Sequence, residues 1–242
     1  KNFFKDIQID LQPPNTSTPD SDVDLRGVCI PPISTTLDPF QAFEQMDGFP
    51  DQDRTIYNLS KFIKLCADAN PNIIELLFVP EKNLVLSSGA WDLLLEKKGL
   101  FLSKKVKYTF TGYAMSQLNT IKRQRGWFLN PPKKKPERAD FGLDESTAIP
   151  GSVVEVLTNV PLSMLGTDYQ DKLKRELEYR KTKSDWGNFQ DYSTRRNPKR
   201  RALEEKFGYD TKHAMHLFRL LYEGEELLRT GNITFPLPQA EG

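Results

Sequence analysis

Two cysteines and two histidines are all that this 242-residue chain offers in the way of soft or borderline metal ligands. Cys29 and Cys66 each lie inside an apolar segment, which suits reduced, buried thiols rather than a disulfide framework. His213 and His216 lack the cysteine or histidine companions of a zinc site. Long apolar runs are missing too: no stretch of 18 or more is present, and Lys1 to Pro14 has no uninterrupted apolar core of a signal peptide. The expectation is a soluble, cytoplasmic protein with no membrane partner. An excess of charge of one sign is also absent, since 34 basic residues face 33 acidic ones. That balance hides a segregation. Residues 122–138 hold seven basic and one acidic residue, and 171–206 hold twelve basic and seven acidic, so the remainder is acidic. Two basic stretches of this kind suit either a polyanionic partner or simply solvated loops.

What the chain does have is concentrated between Pro19 and Ile30. Val23, Leu25 and the Val28-Cys29-Ile30 tail fit a strand, and a strand turns alternate side chains to one side. Asp22 and Asp24 then share a face, with Cα atoms roughly 7 Å apart. Two carboxylates at that spacing can converge on one divalent cation or bridge a close pair, and a hard metal relieves their repulsion. The same spacing also describes a turn whose Asp24 points into water.

The run from Thr18 through Gly27, with Ser21-Asp22-Val23-Asp24, resembles the metal-binding strand of the DNA polymerase beta-like nucleotidyltransferase superfamily. Asn70 to Pro80 resembles the element carrying the third carboxylate in the branch associated with RNA repair. Tyr209-Asp210-Thr211-Lys212-His213-Ala214-Met215-His216 resembles that branch's C-terminal helix. The resemblance implies Asp22, Asp24 and Glu75 as catalytic metal ligands for Mg²⁺ or Mn²⁺. It further implies Ser21, Lys212, His213, His216 and Arg219 as nucleotide-binding residues, with Lys212 holding the triphosphate and either histidine donating to a phosphate oxygen. The Gly-Ser phosphate turn that superfamily members place upstream of the metal strand has no match between Lys1 and Thr18.

Periodicity supplies the framework. Residues 31–53 read as loop; Ile56, Leu59, Ile63 and Cys66 as a helix ended by Asn70-Pro71; and Ile73 to Val79 as a buried strand in which Glu75 is the single charge. Helices are expected over Ser88 to Lys98 and from Val106 to the break at Gly126, followed by a short strand at Val153 to Val160. Short helical segments follow around Leu173, Phe189 and Leu203. A last helix, capped by Asp210 or Thr211, puts Lys212, His216, Arg219 and Glu223 on one stripe. The expected fold is α/β (α+β): a small mixed sheet forming a nucleotidyltransferase core over 1–130, a basic Pro-rich linker over 131–151 and a mainly helical domain over 152–242. The expected function is transfer of an NMP from an NTP to an acceptor hydroxyl, with an RNA end guided by segments 122–138 and 171–206. The alternatives are a catalytically inactive nucleic-acid-binding or regulatory protein, and a nucleotidyltransferase that modifies protein.

Overall fold

Strand β2 (Asp24–Cys29) is the spine of the N-terminal half, flanked on one side by β1 (Gln8–Asp10) and on the other by β4 (Asp53–Asn58), with β3 (Gln45–Met46) at the far edge. In this computed structural model, residues 8–10, 24–38, 40, 43–47, 53–161 and 164–235 are described. The pairings β1/β2 and β3/β4 are antiparallel and β2/β4 is parallel, giving the small mixed sheet of an α+β fold. A parallel pair needs a crossover, and residues 30–52 supply it, with the short helix α1 (Ile33–Thr36) and β3 as the regular structure among its described residues.

Where the chain departs from its expected elements, local caps explain the outcome. Asp53 to Asn58 is strand, so Ile56 belongs to β4 and not to the following helix. Asn58 then caps α2 (Leu59–Ala67), its side chain accepting from the Ser60 amide. The expected strand at Ile73 to Val79 is helical: Asn70 caps α3 (Pro71–Ile74) with Pro71 in the first turn, and a 3₁₀ turn continues through Glu75–Phe78. The β-branched pair Ile73-Ile74 had suggested a strand, but an Asn cap followed by Pro fixes a helix start that packing then completes. Likewise Val153 to Val160 is not a strand but largely α6 (Gly151–Thr158). The segments expected around Leu173 and Phe189 are one helix of 29 residues, α7 (Thr167–Arg195). The helices α4 (Gly89–Glu96), α5 (Lys105–Leu129), α8 (Pro198–Phe207) and α9 (Thr211–Thr230) lie close to their expected positions.

The chain forms two compact units, one of residues 1–118 with 214–242 and the other of 119–213. Their limits run differently from the expected boundaries at 130 and 151, because most of α9 belongs with the N-terminal core. In the first unit Val28, Phe62, Cys66, Trp91, Phe110, Leu220 and Leu227 form one buried cluster. Gly224 of α9 is seated on Phe110, where even a methyl group would meet the ring at 3.1 Å. In the second unit Ile149, Val154 and Leu173 make a smaller core. The segment expected as a linker is packed here. Arg138 and Glu176 are both buried and paired at 2.9 Å, and Arg180 meets the same carboxylate at 2.9 Å. No helix among the described residues is long and apolar enough to cross a membrane.

Candidate metal and nucleotide site

The first turn of the parallel pair sets the geometry. Asp24 and Asp53 open β2 and β4 as register partners, so positions 24 and 53 lie side by side on neighbouring strands, about 4.8 Å apart. The register continues through Arg26 with Thr55 and Val28 with Tyr57, and strand alternation puts these pairs on one face of the sheet. Ser21 and Asp22 fall outside the described residues, as do residues 1–7 and 11–18 of the stretch where a Gly-Ser turn was sought.

Glu75 is placed differently from its expected strand. Its carboxylate receives Arg219 Nη1 at 3.0 Å, and Arg219 Nε lies 3.8 Å from Glu223. Glu223 is fully buried, and neither of its carboxylate oxygens has a hydrogen-bond partner. Burial pushes the Glu75 carboxyl above its ordinary range, against the pull of Arg219 and Arg26. Burial likewise drives Glu223 up to about 8, reinforced by the charge of Glu75 and opposed by Arg219. A carboxylate engaged by a guanidinium is poorly placed to ligate a cation. Among the described residues no cluster of three or more His, Cys, Asp or Glu could hold a metal ion.

The cationic stripe of α9 divides along its length. Asp210 caps the helix, accepting from the Lys212 amide at 2.9 Å and the His213 amide at 3.2 Å, and is held by Arg196 at 3.2 Å. Those amides are therefore spoken for by a carboxylate rather than open to a phosphate. The Lys212 side chain is exposed. His213 is half-buried, and its pKa is lowered by burial against the pull of Asp210. His216 is also half-buried, whereas Arg219 and Glu223 turn inward toward Glu75. The stripe runs from solvent into the core.

Sequence reasoning overlooked Asp53, Arg26, Thr55 and Glu223. The signal for Asp53 was present, in the alternation of Thr55 and Tyr57 with Arg54 and Ile56 after Asp51-Gln52-Asp53. Glu223 sat among leucines at helical spacing but was read only as the end of a polar stripe.

The basic segments are thinned by folding. Arg138 is consumed by Glu176, and Lys134 is paired with Asp140. Lys122, Arg123, Arg125, Lys133 and Lys135 are exposed with no ion pair among the described residues. Arg123 lies over the Trp127 ring at 5.4 Å, and Trp127 meets Tyr192 at 5.4 Å and Phe189 at 6.0 Å.

Comparison with known proteins adds a protein of Enterobacteria phage T4, described as an uncharacterized 38.9 kDa protein in the nrdC-mobD intergenic region, which is 27% identical over 116 residues. That match takes in 42% of this chain and 33% of the phage protein, so the chain spans about a third of that relative. No solved structure matches the chain. Residues 16–129, which contain the Asp-x-Asp motif, the parallel strand pair and the Glu75 turn, match the model of the RNA repair pathway DNA polymerase beta family.

Proposed function

We propose that this protein is a divalent-metal-dependent nucleotidyltransferase that moves an NMP from an NTP to an acceptor hydroxyl, the acceptor being an RNA end. The observation that carries the reading is the register of Asp24 with Asp53 on parallel strands, beside a Ser-Asp-x-Asp motif. Asp22, Asp24 and Asp53 are the proposed metal ligands, with Asp53 in the role first given to Glu75, because Arg219 already holds the Glu75 carboxylate. Such a set of hard oxygen donors suits Mg²⁺ or Mn²⁺. When bound, the metal pair would lower the acceptor hydroxyl's pKa and neutralise charge on the departing pyrophosphate.

The protein's own groups supply binding and orientation. Lys212 presents an exposed ammonium suited to a triphosphate, and the half-buried His213 and His216 offer donors beside it on the same helix. The Asp210 cap fixes where α9 begins and hence where Lys212 stands. Exposed Lys122, Arg123, Arg125, Lys133 and Lys135 provide charge for a nucleic-acid acceptor. The test is incorporation of label from an α-³²P NTP into RNA with Mg²⁺ or Mn²⁺, using wild type, Asp24→Asn and Asp53→Asn. Transfer by wild type that is lost in both variants, with melting temperatures held or raised, is the expected result. Wild-type turnover in Asp53→Asn removes it from the ligand set, and label found in the protein itself moves the acceptor to protein.

A further inference from the structure

Four aromatic rings of the second unit lie together outside its small hydrophobic core of Ile149, Val154 and Leu173. Trp127 of α5 meets Tyr192 and Phe189 of α7 at 5.4 and 6.0 Å between ring centroids, and Trp186 lies 6.0 Å from Phe189. Tyr192 is anchored by polar contacts, its hydroxyl donating to Glu204 at 2.6 Å while Arg196 lies over its ring at 4.4 Å. All four rings are only half-buried, and Phe128, next along α5, is 40% exposed. A contiguous apolar patch left open in this way marks a binding surface, which scattered single residues do not. The charge beside it is of one sign. Helix α5 carries no carboxylate, and its residues 119–129 include Lys122, Arg123 and Arg125, all exposed and without an ion pair among the described residues. Between Trp186 and Tyr192 the single carboxylate, Asp191, is held by Arg195 at 3.6 Å.

We propose that this patch is a stacking surface for single-stranded RNA, with Trp127 as its principal ring, an assignment that rests on the reading of RNA as the acceptor. Open rings beside unpaired cations match what an unpaired strand offers: bases whose π-faces any aromatic ring accepts, and a phosphate on every nucleotide. In a duplex the base faces are stacked on one another, so duplex RNA can use only the charge. Arg123 lies over the Trp127 ring at 5.4 Å. A cation–π contact at an exposed site is weaker than a base stacked on indole, so an arriving base displaces the guanidinium and leaves it to an adjoining phosphate. Ring and charge then act on the same nucleotide.

The experiment is fluorescence anisotropy with a short labelled RNA of mixed sequence, as a single strand and as its blunt duplex, without NTP or metal, alongside a thermal melt of each protein. Stacking of one base contributes about five- to a hundredfold in affinity, so Trp127→Leu, which keeps apolar bulk but has no aromatic face, should weaken single-strand binding about tenfold and duplex binding hardly at all. Trp127→Phe, which restores a ring, should recover most of the loss. Because the lost contact is not ionic, the ratio of wild-type to Trp127→Leu affinity should hold from low to high salt while both affinities fall. In Trp186→Phe the indole emission comes only from Trp127 and the fully buried Trp91, and single-stranded RNA should quench it; this reading decides the matter should Trp127→Leu not fold. A merely structural cluster would lower the melting temperature of Trp127→Leu and leave single-strand affinity unchanged. That result, an equal loss for duplex and single strand, or emission that RNA does not quench overturns the surface, and a wild type that still transfers label to RNA then keeps the nucleotidyltransferase reading. Absence of any RNA binding by wild type removes the RNA acceptor and the surface together.

Discussion

Replacing Glu223 with Gln tests the buried charge cluster most directly. Glu223 is fully buried with both carboxylate oxygens unpartnered, and it faces an Arg219 already engaged by Glu75. Its carboxyl is pushed up to about 8 from an ordinary value of 4.5. An acid raised in this way is protonated in the folded chain and ionised in the unfolded chain between those two values. Its contribution to stability is therefore complete below about pH 4.5 and is lost as the pH rises through about 8. From pH 6 to pH 8 this single group should lower wild-type stability by about 2 kcal/mol, and Glu75, shifted in the same direction, adds to the trend. Gln has nearly the same volume and cannot titrate, so Glu223→Gln should lose most of that slope whatever its absolute stability. Urea unfolding of both proteins at pH 6, 7 and 8, at constant ionic strength, gives the two slopes. Equal slopes in wild type and Glu223→Gln would refute the assignment of the proton to this residue.

The other expectations concern packing and charge. Gly224→Ala gains up to about 1 kcal/mol of helix propensity but drives a methyl group into Phe110, an overpacking that costs about 1–3 kcal/mol, so denaturant unfolding should show net destabilisation. A Gly224→Ala protein more stable than wild type would show that Phe110 yields freely. Arg138→Met leaves the buried Glu176 without its buried guanidinium partner and should lower the melting temperature clearly, whereas Lys134→Ala, which breaks an exposed pair with Asp140, should not; equal melts would mean Arg138 is not part of the structure's support. If RNA is the acceptor, Lys133→Ala with Lys135→Ala should reduce the dependence of log Kd on log salt by about one to two, as measured by fluorescence anisotropy on a single-stranded oligonucleotide. An unchanged slope would place the nucleic acid elsewhere.

Much of the helical framework was legible because its stop signals are chemical. α2 closed at Ala67, just ahead of the expected Asn70-Pro71 break, and Ser88 capped α4, its hydroxyl accepting from the Trp91 amide. Errors fell where β-branched residues met a cap. Ile73-Ile74 and Val153-Val154 have strand propensity, yet Asn70 with Pro71 in one case and Pro150 in the other set a helical start, and burial of Ile74 and Val154 completed it. The opposite error, reading Ile56 into a helix, came from apolar spacing that matches both the end of β4 and the face of α2. Only the pairing with β2 distinguishes them, and pairing is not local.

The candidate site shows the same division between what neighbours in sequence decide and what only folding decides. Asp22 and Asp24 were conspicuous because their Asp-x-Asp spacing after Ser21 is written in consecutive residues. Asp53 was not, since its significance depends on a parallel register with a strand 29 positions earlier. Glu75 drew attention as the lone charge in an apolar run, and that reasoning was sound in demanding a partner for a buried carboxylate. The partner is Arg219, from a helix 144 positions later, and Glu223 shares it. With Arg26 near Glu75, two guanidiniums and two glutamates share one cluster, Glu223 alone of the four being fully buried, and these four groups are neutral together when both glutamates are ionised. Protonation of Glu223 leaves one positive charge in excess, on the side of the sheet where Arg26 neighbours Asp24 along the strand. The charge state of a leucine-rich helix is for that reason linked through Glu75 to Arg26 on strand β2.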